Sequence, residues 1–508
     1  MLFNSYDFAL YFLPVALAAF YFLAHSRAPR LAASWLGIAS LFFYGYWAPR
    51  FLLLLLGSIA ANYGFGIVLR RLPRTGPSNL GRLRKWVLVA AIVGNLGLLI
   101  YFKYANFFLQ NINTALGTSF PALGVILPIG ISFFTFTQIA YVVDTYEGKV
   151  KETDPWHYLL FVTFFPHLIA GPILHHAEMM PQFAERKTYR FQFDWFVTGL
   201  LIFAIGLAKK VILADGIQPY VAPVFDYSAI RPLSAYEAWG GALAYTLQLY
   251  FDFSGYSDMA IGLSRMFNIH LPLNFASPYK ATNISDFWRR WHMTLSRFLR
   301  DYLYVPLGGN RRGKVRRYAN LFATMVLGGL WHGAAWTFVI WGALHGLYLC
   351  CYHAWTALRT RLGLPARETV LGRLVAQLAT FLCVVVGWVF FRAESFLAAM
   401  RVLTGMAGLN QNALSGNGTS SLGAGSTLQA LNLQPIGDER QLVWILVLLA
   451  IAWLLPNTQT LVPVPSGKQG SAAQQMAFLL TGMLAPVLLL LLMINASRGI
   501  SEFIYFNF

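Results

Sequence analysis

The chain has 508 residues, 57% of them apolar and 16% aromatic, and its mean hydropathy is +0.54. Only 11% of the residues are charged, against about 25% in a soluble domain, which excludes a water-soluble globular protein and predicts an all-α, polytopic membrane protein. The net charge of +18 does not indicate a nucleic-acid partner. No basic domain stands outside the apolar segments, and basic residues in short loops hold membrane topology.

Apolar runs at 8–23, 31–47, 51–68 and 86–102 predict the first four spans. Asp7 precedes the first of them, and neither a charged leader nor a small-residue cleavage site is evident, so no cleavable signal is expected. Arg70, Arg71, Arg74, Arg82, Arg84 and Lys85 mark a cytoplasmic loop, and counting back three spans places the N-terminus outside. Runs at 123–143 and 156–173 follow. The second contains Pro166, Gly171 and Pro172 and reads as a broken or re-entrant segment, which survives at membrane depth only when protein or a wet cavity surrounds it. It also carries His167, with His175 and His176 just beyond; a metal site is not expected there, because no cysteine or carboxylate cluster accompanies them.

Further runs occupy 195–213 and 236–251. Asp252 and Asp258 flank the end of the latter; two such carboxylates can orient a histidine, and more commonly they cap and tie helices. An amphipathic helix is expected next, with Ser285 as its N-cap and Trp288, Trp291, Leu295, Phe298 and Tyr302 on one face. Pro306 and the glycines after it end that helix. Arg289 and Arg290 fit the decoration of an interfacial helix, whereas His292 fits it less well, since Lys or Arg serves an interface better. A second basic region, 289–317, also faces the cytoplasm.

Runs at 318–330, 336–353, 374–391, 442–455 and 476–494 bring the count to about eleven to thirteen spans. Residues 410–438 form a flexible, Gly/Ser/Asn-rich polar loop, expected to be extracytoplasmic. Cys350, Cys351 and Cys383 lie in apolar stretches without metal-ligand or disulfide-framework spacing.

The costliest residue in these segments is His332, in an apolar run directly after Gly328, Gly329, Leu330 and Trp331. An ionisable side chain at membrane depth is expensive and usually functional. Imidazole suits proton transfer near neutral pH, so His332 and His292 can converge as a proton-transfer pair. Equally, a buried histidine can serve only to hydrogen-bond a backbone carbonyl. No serine sits in a nucleophile elbow, and no phosphate-cradling loop occurs.

Six blocks, in order, resemble the membrane-bound O-acyltransferase (MBOAT) family: YFKYANF (101–107), LPIGISFFTF (127–136), FPHLIAGPIL (165–174), LQLYFDFSGYSDMAIGL (247–263), FWRRWHMTLSRFLRDYLYVPLGGNRRG (287–313) and LGGLWHGAAWTFVIWGALHG (327–346). They look nearest to its bacterial polysaccharide-acetylating branch, which includes the membrane subunit of alginate O-acetylation. The resemblance implies one integral membrane domain over 1–508 with its core motif region at 101–355. The implied fold has about eleven transmembrane helices plus re-entrant or interfacial ones around a central funnel or tunnel.

The family's buried catalytic histidine matches His332, and the second histidine of the bacterial branch matches His292. The implied activity is O-acetyl transfer from cytoplasmic acetyl-CoA across the bacterial inner membrane to an exopolysaccharide, alginate first. No bound cofactor or metal is implied. Arg289 and Arg290 are the candidates to meet the CoA phosphates. The implied partners are the lipid bilayer, acetyl-CoA, an extracytoplasmic acetyltransferase protein and a polysaccharide synthesis and export complex; the N-terminus is periplasmic. The alternatives are cellulose, peptidoglycan or another polymer as acceptor, D-alanylation of teichoic acid, a transporter or flippase of a polar or acylated solute, and a scaffold for polymer export.

Overall fold

With no water in the hydrocarbon core to satisfy backbone groups, a chain this apolar must pair each N–H and C=O within itself. The computed structural model describes residues 1–26, 29–74, 78–363, 369–410, 438–462 and 503–504, and every regular element in them is helical. Five stretches among them are long and apolar enough to cross a bilayer: Asp7–His25, Pro49–Arg71, Asn79–Leu116, Phe193–Ser228 and Val370–Arg392. Other helices reach spanning length with more polar sequences, such as Ala235–Met266, Lys314–His332 and Trp336–Arg361. The run expected at 476–494 and nearly all of the polar loop at 410–438 lie outside the described residues.

Two expected spans are not continuous. Residues 123–143 become helical only with Ile131–Glu147, after Pro128 and after Gly130, whose φ of +72° places it in the left-handed region. Residues 156–173 break into Pro155–Thr163 and a single turn, Phe165–Leu168, because Pro166 brings no N–H to the helical ladder. The broken segment read from the two prolines is therefore present.

The chain forms two compact units. One comprises Met1–Ala208, Gly255–Asn274 and Thr458–Phe508; the other comprises Lys209–Ser254 and Phe275–Asn457. In the first, Leu13–His25 pairs with Pro29–Trp47, and Leu52–Arg71 and Ser78–Leu99 both pack on Ile131–Glu147. Asn62 and Asn95 exchange reciprocal amide hydrogen bonds of 3.1 and 2.6 Å between two of these helices, which is the interhelical polar pairing expected in lipid. Phe193–Ala208 meets the end of Ala235–Met266 through glycines. A methyl on Gly199 would stand 2.6 Å from the Gly262 carbonyl oxygen, and one on Gly206 would stand 2.6 Å from that of Gly255.

The second unit is organised by a hairpin of Lys314–His332 and Trp336–Arg361, with Val370–Arg392 against its second arm. Here too the crossing is made by small residues. A methyl on Gly329 would lie 2.3 Å from the Phe338 carbonyl oxygen, and one on Gly342 would lie 2.4 Å from that of Met325. Backbone cannot retreat as a flexible side chain can, so Gly342→Val should destabilise by about 1–3 kcal/mol. The check is the thermal unfolding midpoint in detergent, which should fall for Gly342→Val and stay level or rise for Gly81→Ala, where the surrounding space is open.

Candidate active site

His332 is the last residue of its helix, and residues 333–335 turn the chain into the second arm. The turn is fixed by fit: a methyl on Gly333 would lie 2.0 Å from a Phe338 ring carbon. This holds the His332 side chain inside, at 3% exposure. Its imidazole is walled by Trp331 at 4.9 Å, Trp341 at 5.0 Å and Phe391 at 5.1 Å between ring centroids.

His292 reaches its place by a different device. The single amphipathic helix expected from Ser285 onward is two helices, Ile284–Arg290 and Met293–Leu299. Asn283, not Ser285, caps the first, its side chain accepting the Asp286 N–H at 2.8 Å. The break falls at His292, which is left-handed at φ +43° and ψ +54°. That conformation costs a non-glycine residue about 1–3 kcal/mol and is concentrated at functional sites. The kink buries the imidazole completely, edge-on to Phe253 at 4.8 Å and 88°. Trp331 lies 6.4 Å from His292 and 4.9 Å from His332, so the structure brings both predicted histidines to one indole.

The two candidate arginines part company. Arg290 donates from Nε to Asp286 Oδ2 at 2.9 Å, one turn back. Arg289 is exposed and forms no ion pair among the described residues. Of the first unit's histidines, His176 pairs through Nδ1 with Asp144 Oδ2 at 3.0 Å. No group of three or more His, Cys, Asp or Glu side chains placed to hold a metal occurs among the described residues. Asp258 accepts from Thr458 at 2.7 Å and Gln459 at 3.1 Å, so it ties segments together.

Sequence reasoning missed a buried ion cluster. Lys210 Nζ lies 2.7 Å from Asp215 Oδ1 and 2.8 Å from Asp252 Oδ1, and the Lys210 and Asp252 side chains are each 2% exposed. Lys210 sits in a π-helical stretch, Lys209–Ala214, a local widening found often at functional sites. Two lysines inside an otherwise apolar run were the available signal, since a charge at that depth requires a partner. Asp252 immediately precedes Phe253, the ring on His292, so the ion cluster anchors one wall of the site. His345 was also passed over; it is fully buried, 4.9 Å from Trp341.

Chemically, the second unit offers buried imidazoles bordered by aromatic rings, side chains of a type that can accept and donate a proton near neutral pH. Residues 92–386 match MBOAT, the membrane-bound O-acyltransferase family. The chain belongs to that family and is a multi-pass membrane acyltransferase. It is 44% identical over 436 residues to the peptidoglycan O-acetyltransferase of Helicobacter pylori, covering 81% of this chain and 80% of that one. It is also 44% identical over 411 residues to the probable alginate O-acetylase AlgI of Pseudomonas aeruginosa, covering 80% and 75%. The teichoic acid D-alanyltransferase of Bacillus subtilis is 32% identical over 244 residues, covering 46% of this chain and 60% of that one. Both predicted histidines fall within the family match.

Removing Lys210 alone strips the buried Asp252 carboxylate of its ion pair with that lysine. Lys210→Met should therefore cost about 3–5 kcal/mol, and adding Asp252→Leu should restore part of it. Denaturation midpoints of the single and double variants check this.

Proposed function

We propose that the protein is an inner-membrane O-acetyltransferase that takes acetyl from cytoplasmic acetyl-CoA and passes it across the membrane for O-acetylation of an exopolysaccharide, with alginate the leading acceptor. The observation that carries the reading is the pair of buried imidazoles, His332 and His292, on the Trp331 indole. His332 is the general base. It takes the proton of the acceptor hydroxyl as that oxygen attacks the thioester carbonyl carbon. The carbon–sulfur bond then breaks, and the proton passes from the imidazolium to the departing thiolate. His292, held rigidly by its kink, orients the reacting groups.

Arg289, exposed and without an ion pair, is the better placed of the two arginines to meet CoA phosphate. The N-terminus lies in the periplasm. An extracytoplasmic acetyltransferase working with the polymer's synthesis and export complex completes delivery. A second reading, peptidoglycan as the acceptor, is supported by the equal 44% identity to the Helicobacter pylori enzyme.

The test uses purified protein in lipid nanodiscs with labelled acetyl-CoA. His332→Ala should lower transfer by about 10²–10⁴-fold while the near-ultraviolet circular dichroism stays native. Transfer at the unmodified rate would refute the general-base assignment. Mass spectrometry of exopolysaccharide and of peptidoglycan from cells with and without the protein separates the two acceptors.

A further inference from the structure

His345 is a buried imidazole that none of these steps uses. It stands on the second arm of the hairpin, one helical turn after Trp341, at 0% exposure. Trp341 at 4.9 Å, Trp288 at 5.2 Å and Tyr348 at 5.7 Å enclose it. Neither His345 Nδ1 nor Nε2 has a hydrogen-bond partner among the described residues, and the same holds for Trp341 Nε1. Burying unpaired polar atoms is costly, and a Phe or Leu would fill this space without that cost. A histidine here therefore calls for a use of its nitrogens.

The unpaired groups are complementary and adjacent. An indole N–H donates only; a neutral imidazole carries one accepting nitrogen. The two rings lie at 55° to each other, and their polar edges meet at a bare glycine. A methyl on Gly387 would stand 2.8 Å from His345 Nε2 and 3.5 Å from Trp341 Cδ1, the carbon bonded to the indole nitrogen. The Trp288 and Trp388 indoles also lie near, with centroids 5.2 and 6.0 Å from His345, but it is the pyrrole edge of Trp341 that shares the Gly387 gap with Nε2. A Trp341 N–H to His345 hydrogen bond would pair both of these buried, partnerless groups at once. The same indole meets the His332 imidazole at 5.0 Å and 89°.

We propose that His345 is a positioning residue for acyl transfer: it accepts a hydrogen bond from Trp341 Nε1–H and so fixes the indole that orients His332. This rests on the assignment of His332 as the base. The prediction opposes that of a packing role. His345→Phe keeps the ring and loses the acceptor; His345→Gln loses the ring and keeps an acceptor near Nε2.

In nanodiscs, with labelled acetyl-CoA, His345→Phe should lower kcat by about tenfold to a hundredfold, hold KM for acetyl-CoA within about twofold, and move the acid limb of the pH–kcat profile. His345→Gln should recover most of kcat, and Trp341→Phe, which lacks the donor, should behave like His345→Phe. Native kcat in His345→Phe with loss in His345→Gln overturns the proposal in favour of packing. If His345→Phe does not fold, native kcat in Trp341→Phe overturns it and a reduced kcat with unchanged KM supports it. The two assignments fail separately: an active His332→Ala removes the base, whereas an inactive His332→Ala beside a native His345→Phe removes only the positioning role.

Discussion

The backbone contact between Gly329 and Gly342 is the constraint on which the site depends. Two helices carrying ordinary side chains there would be held apart, because each missing methyl would fall within 2.4 Å of a carbonyl oxygen on the other arm. Close approach permits a three-residue turn, and that turn carries His332 directly onto Trp341, Phe338 having packed into the space above Gly333. In lipid there is little hydrophobic gain from helix association, so such contacts rest on dispersion and shape. The glycines act through what they leave out, and the imidazole's location follows from that.

A second principle runs through both units: several of the expensive polar groups at depth are matched to one another. Asn62 is matched to Asn95, Lys210 to Asp215 and Asp252, and His176 to Asp144. The backbone expense of His292 in the left-handed region belongs to the same pattern. A glycine in that position would adopt the conformation freely. The strain is thus carried for the sake of a side chain, and that side chain is an imidazole placed on the indole shared with His332.

Much of this was legible in the sequence because its signals are local. Long apolar runs predict helices wherever neither proline nor glycine intervenes, and Pro166 with Pro172 correctly announced the broken segment. His332 stood out because an ionisable group among apolar residues is conspicuous without knowing its neighbours. The break at His292 was not legible, since the residues 285–302 carry a continuous helical period and no glycine or proline marks the kink. The capping choice was ambiguous for a similar reason: Asn283 and Ser285 are both good caps, and only tertiary placement selects one. Lys210 and Asp252 are 42 positions apart, so their pairing depends on the fold, although the lysine's need for some partner could have been argued from its depth alone.

Aromatic walls suit the proposed chemistry better than polar ones would. A thioester is open to attack by water as well as by an acceptor hydroxyl, and a site lined by hydrogen-bonding side chains would order water at the carbonyl. Trp331, Trp341 and Phe391 offer ring edges and faces around His332 instead, and exclusion of water both suppresses hydrolysis and strengthens each electrostatic contact that the reacting groups make. The cost is that aromatic rings hold a neighbour by shape and not by directional bonds. The tight turn behind His332, the kink at His292 and whatever fixes the Trp341 indole all help to orient the proposed base. The density of tryptophan and histidine in this one region follows from that division, in which rings exclude water and a few nitrogens supply direction.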